Sequence, residues 1–370
     1  MDLGSKIEDY HFDLDERLIA QRPLEPRDSA KLLIVRRHPM GGLPQREEAM
    51  VRDLPEVLQK DQRFLKNSLW VRNRSRVFPA RFYARRGSGS VHEIVLIEEI
   101  KSRIWKALIK RSARMKFPES LYIEGLPSLQ MSVLDSDTLS FNCDRDELIK
   151  FLERHGEMPL PPYIKTRISE VDTARYQSVW ARGMSEAKSA AAPTASLHFT
   201  EELCRKLEQE GVQFVDTCLH VGLGTFEPLR QSVLDQNQLH SESFSIASQS
   251  FDLLKKNFQN KDNRSAVLCV GTTALRLLES LPISGESKAE SFNLDLDTQD
   301  YLGRTQIFIK PGFEFRYCDA LFTNFHLPAS SLLVLLSCFA GSWKLVRETY
   351  EFAQSKNYRF FSYGDACLWL

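Results

Sequence analysis

The chain has 370 residues, 42% hydrophobic and 26% charged, with 49 basic side chains against 49 acidic ones. That balance excludes a disordered chain and suits about two domains, each with a sizeable core. No apolar run reaches the ~18 residues of a membrane helix, the polar start "MDLGSKIEDYHFDLDERL" is wrong for a secretory signal, and the expected location is cytoplasmic.

Residues 13–22 predict a helix or turn, "AKLLIVRR" (30–37) a strand, and "DLPEVL" a helix that starts at Asp53 with Pro55 in its first turn. From Lys60 to Lys116 sixteen Lys and Arg face four Asp and Glu, a net of +12. The same stretch is rich in short strand-like runs such as "SLWVRNRSRVFPARFYARR" and "SVHEIVLIEEI", split by the turn signal "GSGS". A small basic β-barrel over residues 67–155 is expected, ending near the prolines of "RHGEMPLPPYIK". Such a block is a candidate footprint for a polyanion; a solvated surface without a partner is the plainer alternative.

Beyond residue 165 strands and helices alternate. "TEELCRKLEQEG" predicts a helix capped by Thr200 and stopped by Gly211; "VQFVDTCLHV", "RSAVLCV" and "YCDALFT" predict strands; "GTTALRLLESL", "ASSLLVLLSCFAG" and "WKLVRETYEFAQSKN" predict helices. Residues 284–303 read as a surface excursion. The expected fold class is α/β: a largely parallel sheet domain (1–66 and 156–370) with the barrel inserted.

In such sheets ligands bind beyond the carboxyl ends of the strands. His220, followed by Gly222 and Gly224, ends one strand; Gly271, Thr272 and Thr273 join a second to a helix; Asn324 and His326 follow a third. His198 precedes the Thr200 cap. Singly, each reads as readily as a cap, a tight turn or a backbone-bonded loop residue. Yet His198, His220, His240 and His326 are four of only eight histidines, each near an element end. A shared site is therefore the competing reading. P-loop, dinucleotide-binding, nucleophile-elbow and HExxH motifs are absent. Seven singly spaced cysteines without a CxxC pair imply no metal site or disulfide framework.

Ten segments, among them "FDLDERLIAQRPLEPRDSAKLL", "GEMPLPPYI", "AAPTASLHFT", "LHVGLGTFEPL", "VGTTALRLLE", "DALFTNFHLPASSLL" and "RFFSYGDACL", resemble in order those of the S-adenosylmethionine:tRNA ribosyltransferase-isomerase family of queuosine biosynthesis. The resemblance implies transfer and isomerisation of the ribosyl unit of S-adenosylmethionine onto 7-aminomethyl-7-deazaguanine in tRNA, giving epoxyqueuosine-tRNA, adenine and methionine. It implies S-adenosylmethionine as co-substrate, no cofactor, and tRNA as partner of a monomer. On this reading His198, His220 and His326 are the catalytic residues that line the site, with at least one acting in proton transfer. Thr194, Thr200, Gly222, Gly224, Thr272, Thr273, Arg276, Asp319 and Asn324 bind substrate, and Arg74, Arg76 and Arg81 bind RNA. Two departures stand out: the family's Asn-Asp-Thr-Arg is "NRSR" here (73–76), and Ser196 stands in a glycine position. They leave a catalytically impaired RNA-binding homologue as the alternative.

Overall fold

A computed structural model of the chain describes residues 2–37, 45–123, 126–161, 163–164, 170–181, 187–189, 191–220, 229, 231–260, 262–284 and 287–370. Strand β1 (Lys31–Arg36) buries four successive residues, as a strand covered on both faces must. It pairs antiparallel with β2 (Gln45–Met50). Helix α1 (Leu54–Leu58) carries Pro55 in its first turn. Strand β3 (Leu69–Asn73) and the two-residue β4 (Arg76–Val77) follow.

Six strands then close into a barrel: β5 (Arg81–Arg86), β6 (Val91–Lys101), β7 (Ile104–Ile109), β8 (Glu119–Ile123), β9 (Leu126–Val133) and β10 (Thr138–Phe141). Alternation builds the wall: Phe82 and Ala84 of β5 point inward while Tyr83 faces solvent. Helix α2 (Arg145–His155) plugs the barrel core with Leu148 and Leu152, and a reciprocal capping box between Asp144 and Glu147 starts it. The expected unit of 67–155 also takes in β3, which belongs to the large sheet instead. Leu69, Trp70 and Val71 are all buried, and a barrel wall would have wetted every second one.

The rest of the chain supplies α3 (Glu170–Arg175), β11 (Ala187–Ser189), α4 (Glu201–Gln209), β12 (Gln213–Leu219), β13 (Glu242–Ala247), α5 (Ser248–Gln259), β14 (Val267–Val270), α6 (Thr272–Ser280), β15 (Ser291–Leu294), β16 (Asp300–Thr305), β17 (Ala320–Asn324), α7 (Ser331–Ala340), α8 (Trp343–Ser355) and β18 (Ala366–Trp369). Ten strands form one mixed sheet in the order β15-β16-β13-β12-β3-β14-β17-β18-β1-β2. Its centre, β12-β3-β14-β17, is parallel, as is the β18–β1 pair, and antiparallel pairs flank them. Residues 284–303, expected as an excursion, contain β15 and much of β16, which extend the sheet through β13. The stacked rings of Phe292 and Tyr301 pack on Phe251 of α5, an anchor hidden in a polar sequence.

Both faces of the central strands are covered. Val267 and Cys269 of β14 enter one core, with α5 to α8; Leu268 and Val270 enter the other, with α1 and α4.

Candidate active site

Because the central strands run parallel and in register, their carboxyl ends share one edge: His220 after β12, Asn73 at the end of β3, Gly271 after β14 and Asn324 at the end of β17. A cavity of about 210 Å³ opens over the β14–β17 part of that edge. One wall is Pro193, Thr194 and Ala195; a second is the start of α6; a third is the loop from Phe325 to Ser330 that leads into α7. Tyr163, Phe361 and Ser362 close it. Among the described lining residues there is no Asp, Glu, Lys or Arg.

The start of α6 is built for an anion. Gly271 takes φ +91°, and a Cβ there would come within 3.3 Å of the Ala195 Cβ, so the position suits glycine. No side chain caps the helix. Its first-turn N–H groups and the positive end of its dipole face the cavity. Thr273, only 8% exposed, also lines the cavity, and its Oγ1 has no hydrogen-bond partner. The start of α7 opens on the same space but is capped by Ser330, whose Oγ accepts from the Leu333 N–H at 3.3 Å.

The aromatic side is rigid. The Tyr163 hydroxyl meets Ser362 Oγ at 2.6 Å, and the ring lies 4.7 Å from that of Phe361. Burial pushes the Tyr163 phenol up to about 12. Phe361 (φ +72°) and Ala329 (φ +50°) hold left-handed backbone without being glycine, and both line this cavity. Such conformations cost energy and concentrate at functional sites.

Two histidines sit here, both neutral. His326 lines the cavity, its Nε2 lies 3.1 Å from Thr323 Oγ1, and its backbone N–H donates to the Tyr350 hydroxyl at 3.0 Å. Burial pushes its imidazole down to about 3. His198 lies behind Asn324, whose Nδ2 donates to its Nε2 at 3.1 Å and to the Phe361 carbonyl at 3.0 Å. This bond assigns the ring proton to Nδ1. Burial first, and then the Arg359 and Arg27 guanidiniums, push His198 down to about 3. It also lines a second, smaller cleft, together with Arg27, Arg175 and Arg359.

Residues 7–369 match the family described as queuosine biosynthesis protein. The chain is 40% identical to the S-adenosylmethionine:tRNA ribosyltransferase-isomerase of Thermosipho melanesiensis, over 98% of this chain and 99% of that one. It is 39% identical to the protein of that name from Thermotoga maritima, again over 98% and 99%. A crystal structure titled S-adenosylmethionine tRNA ribosyltransferase, from Thermotoga maritima, superposes with a TM-score of 0.52 at 32% identity, covering 98% of this chain and 99% of that one. The chain belongs to the queuosine biosynthesis protein family.

In this queuosine-family protein the cavity gathers Thr194, Thr272, Thr273, Asn324 and His326, with Thr194 Oγ1 donating to Asn324 Oδ1 at 3.4 Å and His198 joined through the Asn324 amide. Other expected site residues lie apart. Thr200 caps α4 through the Leu203 N–H and donates to Asp28 Oδ2 at 2.9 Å. Arg276 sits a turn into α6, where the helix faces the core, and spends its charge on buried Glu242 at 2.5 Å. Asp319 precedes β17, at the edge opposite Asn324 and roughly 16 Å along the strand from it. There it holds Arg264 at 2.5 and 2.8 Å. His220 reaches the shared edge, with its N–H on the Ser243 carbonyl at 2.9 Å, but is not in the lining. Gly222 and Gly224 lie outside the described residues.

Arg74, Arg76 and Arg81 lie along the crossing from β3 to the barrel. Arg81 is held by the Leu160 carbonyl at 3.2 Å and Glu93 at 3.4 Å. Ser196, in the expected glycine position, is wholly buried, has no left-handed φ, and lines neither cavity. Sequence reasoning missed Tyr163, Phe361 and Ser362. It also missed Asn73, whose side chain accepts from the Ser75 and Leu219 N–H groups and donates to the Leu219 carbonyl, tying β3 to the end of β12. No helix among the described residues is long and apolar enough to cross a membrane, and no described group of three His, Cys, Asp or Glu could hold a metal ion.

Proposed function

We propose that this protein is an S-adenosylmethionine:tRNA ribosyltransferase-isomerase. It transfers and isomerises the ribosyl unit of S-adenosylmethionine onto 7-aminomethyl-7-deazaguanine in tRNA, releasing adenine and methionine and forming epoxyqueuosine-tRNA. The observation that carries the reading is a cavity without formal charges among its described lining residues that joins a bare helix start, an unpartnered Thr273 hydroxyl and the rings of Tyr163 and Phe361. The donor has matching parts. Its carboxylate suits the α6 N-terminus and Thr273. Its sulfonium and adenine suit the rings of Tyr163 and Phe361.

The chemistry needs a base for the proton beside the sulfonium and a donor to assist adenine departure. His326 is the imidazole that lines the cavity; burial keeps it unprotonated at neutral pH but lowers its basicity, so its role as base requires that the bound substrate raise its proton affinity. His198 supports the site through Asn324. Thr194 and the Tyr163–Ser362 pair supply hydroxyl donors. The basic block, with Arg74, Arg76 and Arg81 at its crossing to the sheet, supplies attraction for the tRNA backbone.

The test is adenine release from S-adenosylmethionine in the presence of tRNA bearing the 7-aminomethyl base. Release that depends on that tRNA is expected. Tight tRNA binding with no adenine would replace this reading by an RNA-binding homologue.

A further inference from the structure

We infer that Arg27, Arg175 and Arg359 form an oxyanion seat beside His198 that holds one backbone phosphate of the RNA substrate next to its reacting nucleotide. The inference rests on the function proposed above and adds a site to it. All three arginines line the small cleft on the far side of His198. The cleft's enclosed space of about 20 Å³ takes one phosphate oxygen and not the whole group. Ser362 lines both this cleft and the larger cavity. A nucleotide whose base enters the cavity would therefore carry its phosphate within reach of the cleft.

The three arginines are held in place and only partly used. Arg175 ends α3, contacts Glu25 at 2.5 Å and donates to the Leu24 carbonyl, yet its Nε is buried with no partner. Glu25 is 78% exposed, so its charge is largely spent on water. Arg27 donates to the Gln177 carbonyl at 2.9 Å. Arg359 donates to the Arg22 and Gly364 carbonyls, each at 3.4 Å, and meets Asp365 at 3.3 Å. Asp365 already accepts the Lys31 and Arg359 backbone N–H groups, and Asp28 accepts from Thr200. Three planar donor forks thus meet at one cleft, where buried Asp365 and exposed Glu25 offset part of their charge, and an array of guanidiniums in excess of carboxylates suits phosphate. The donor's carboxylate already has its seat at α6, which leaves the RNA as the source of this oxyanion.

The seat also couples to chemistry. Arg359 and Arg27 help to hold His198 neutral, so a phosphate that offsets their charge raises the basicity of His198 when RNA arrives.

Arg175→Gln and Arg27→Gln are compared with wild type, and Arg175→Lys serves as the charge-keeping control. The readouts are tRNA binding across a salt series, S-adenosylmethionine binding by calorimetry, and the His198 ring NMR signals during titration with inorganic phosphate. Each Gln variant should bind tRNA about tenfold more weakly with a salt slope lower by about 1, and donor binding should be unchanged. Phosphate should move the His198 signals in wild type and not in Arg175→Gln; Arg175→Lys should retain part of both effects. Wild-type tRNA affinity and slope in the Gln variants, or His198 signals unmoved by phosphate in wild type, would overturn the seat. A loss confined to S-adenosylmethionine would overturn it too, by assigning the cleft to the methionine carboxylate. Failure of the wild-type protein to bind tRNA would instead sink the proposed function, and the phosphate response of His198 would still decide the seat.

Discussion

Asn324 donates one amide hydrogen bond to His198 and another to the Phe361 carbonyl, so a single side chain ties a residue of the small cleft to a residue of the larger cavity. Replacing it by Ala should lower turnover about tenfold or more while donor affinity changes less. Asn324→Asp has a sharper signature. A carboxylate facing Nε2 favours the imidazolium, so the His198 pKa should rise well above its value of about 3. NMR titration of the ring reads this directly, and an unmoved pKa would show that the contact is not made in solution.

Thr273→Val keeps the shape and removes the unpartnered hydroxyl. Donor affinity should fall about tenfold, the worth of one hydrogen bond to a charged group. Stability should hold or rise by about 1 kcal/mol, because a buried hydroxyl without a partner is a cost. Calorimetric binding and a urea melt together check the pair of outcomes.

The two buried histidines make stability depend on acid. Both have folded values of about 3, below the ordinary histidine value of 6.5. Between those limits the unfolded chain binds more protons, so their contribution is fully present above pH ~6.5 and is lost as pH falls toward 3. Each contributes a slope of up to about 1.4 kcal/mol per pH unit. Melting temperature should therefore fall steeply from pH 6 to pH 4, and His326→Gln should flatten the fall by one proton's worth.

Arg276→Ala should destabilise the fold by about 3 kcal/mol, because buried Glu242 loses its ion pair with Arg276. The variant, assayed below its melting temperature, should keep the wild-type KM for S-adenosylmethionine. A large KM change would place Arg276 at the site after all.

Ser196→Ala tests the departure from the expected glycine. The Ser196 hydroxyl is buried and unpartnered, and it points into neither cavity. The change should stabilise by about 1 kcal/mol and leave donor affinity unchanged. A gain in affinity would mean that the serine obstructs the loop.

What the sequence made legible was whatever lies in one local run. The α4 cap at Thr200, the Gly341 stop of α7 and the strand-to-helix turn at Gly271 could each be read from a few neighbouring letters, and their alignment on one edge followed from the parallel order. What could not be read was where a side chain points after the chain crosses the molecule. Arg276 and Asp319 have the right chemistry for a site, but one faces the core a turn into its helix and the other begins the strand that Asn324 ends. Tyr163, Phe361, Arg27 and Arg359 lie in segments that carry the family resemblance, but those segments have no periodicity to say where a side chain points, and only the fold brings them and Arg175 to His198. Strand β3 is legible as a strand but reads as part of the barrel, because it lies in the basic block and its apolar run Leu69–Val71 is only three residues long.

The strand order also fixes when the parts of this protein can form. The barrel closes within one stretch of chain, β5 to β10, whereas β3 lies between β12 and β14 at the centre of the sheet. The pair β1–β2 joins the sheet only through β18, with Leu32 opposite Ala366. Local pairings form quickly and distant ones slowly. On the ribosome the barrel can therefore be complete while the ten-stranded sheet is still open, and β1 and β2 wait with unpaired edges until nearly all the chain has been made. Dependence on chaperones during synthesis should accordingly fall on the sheet and not on the barrel.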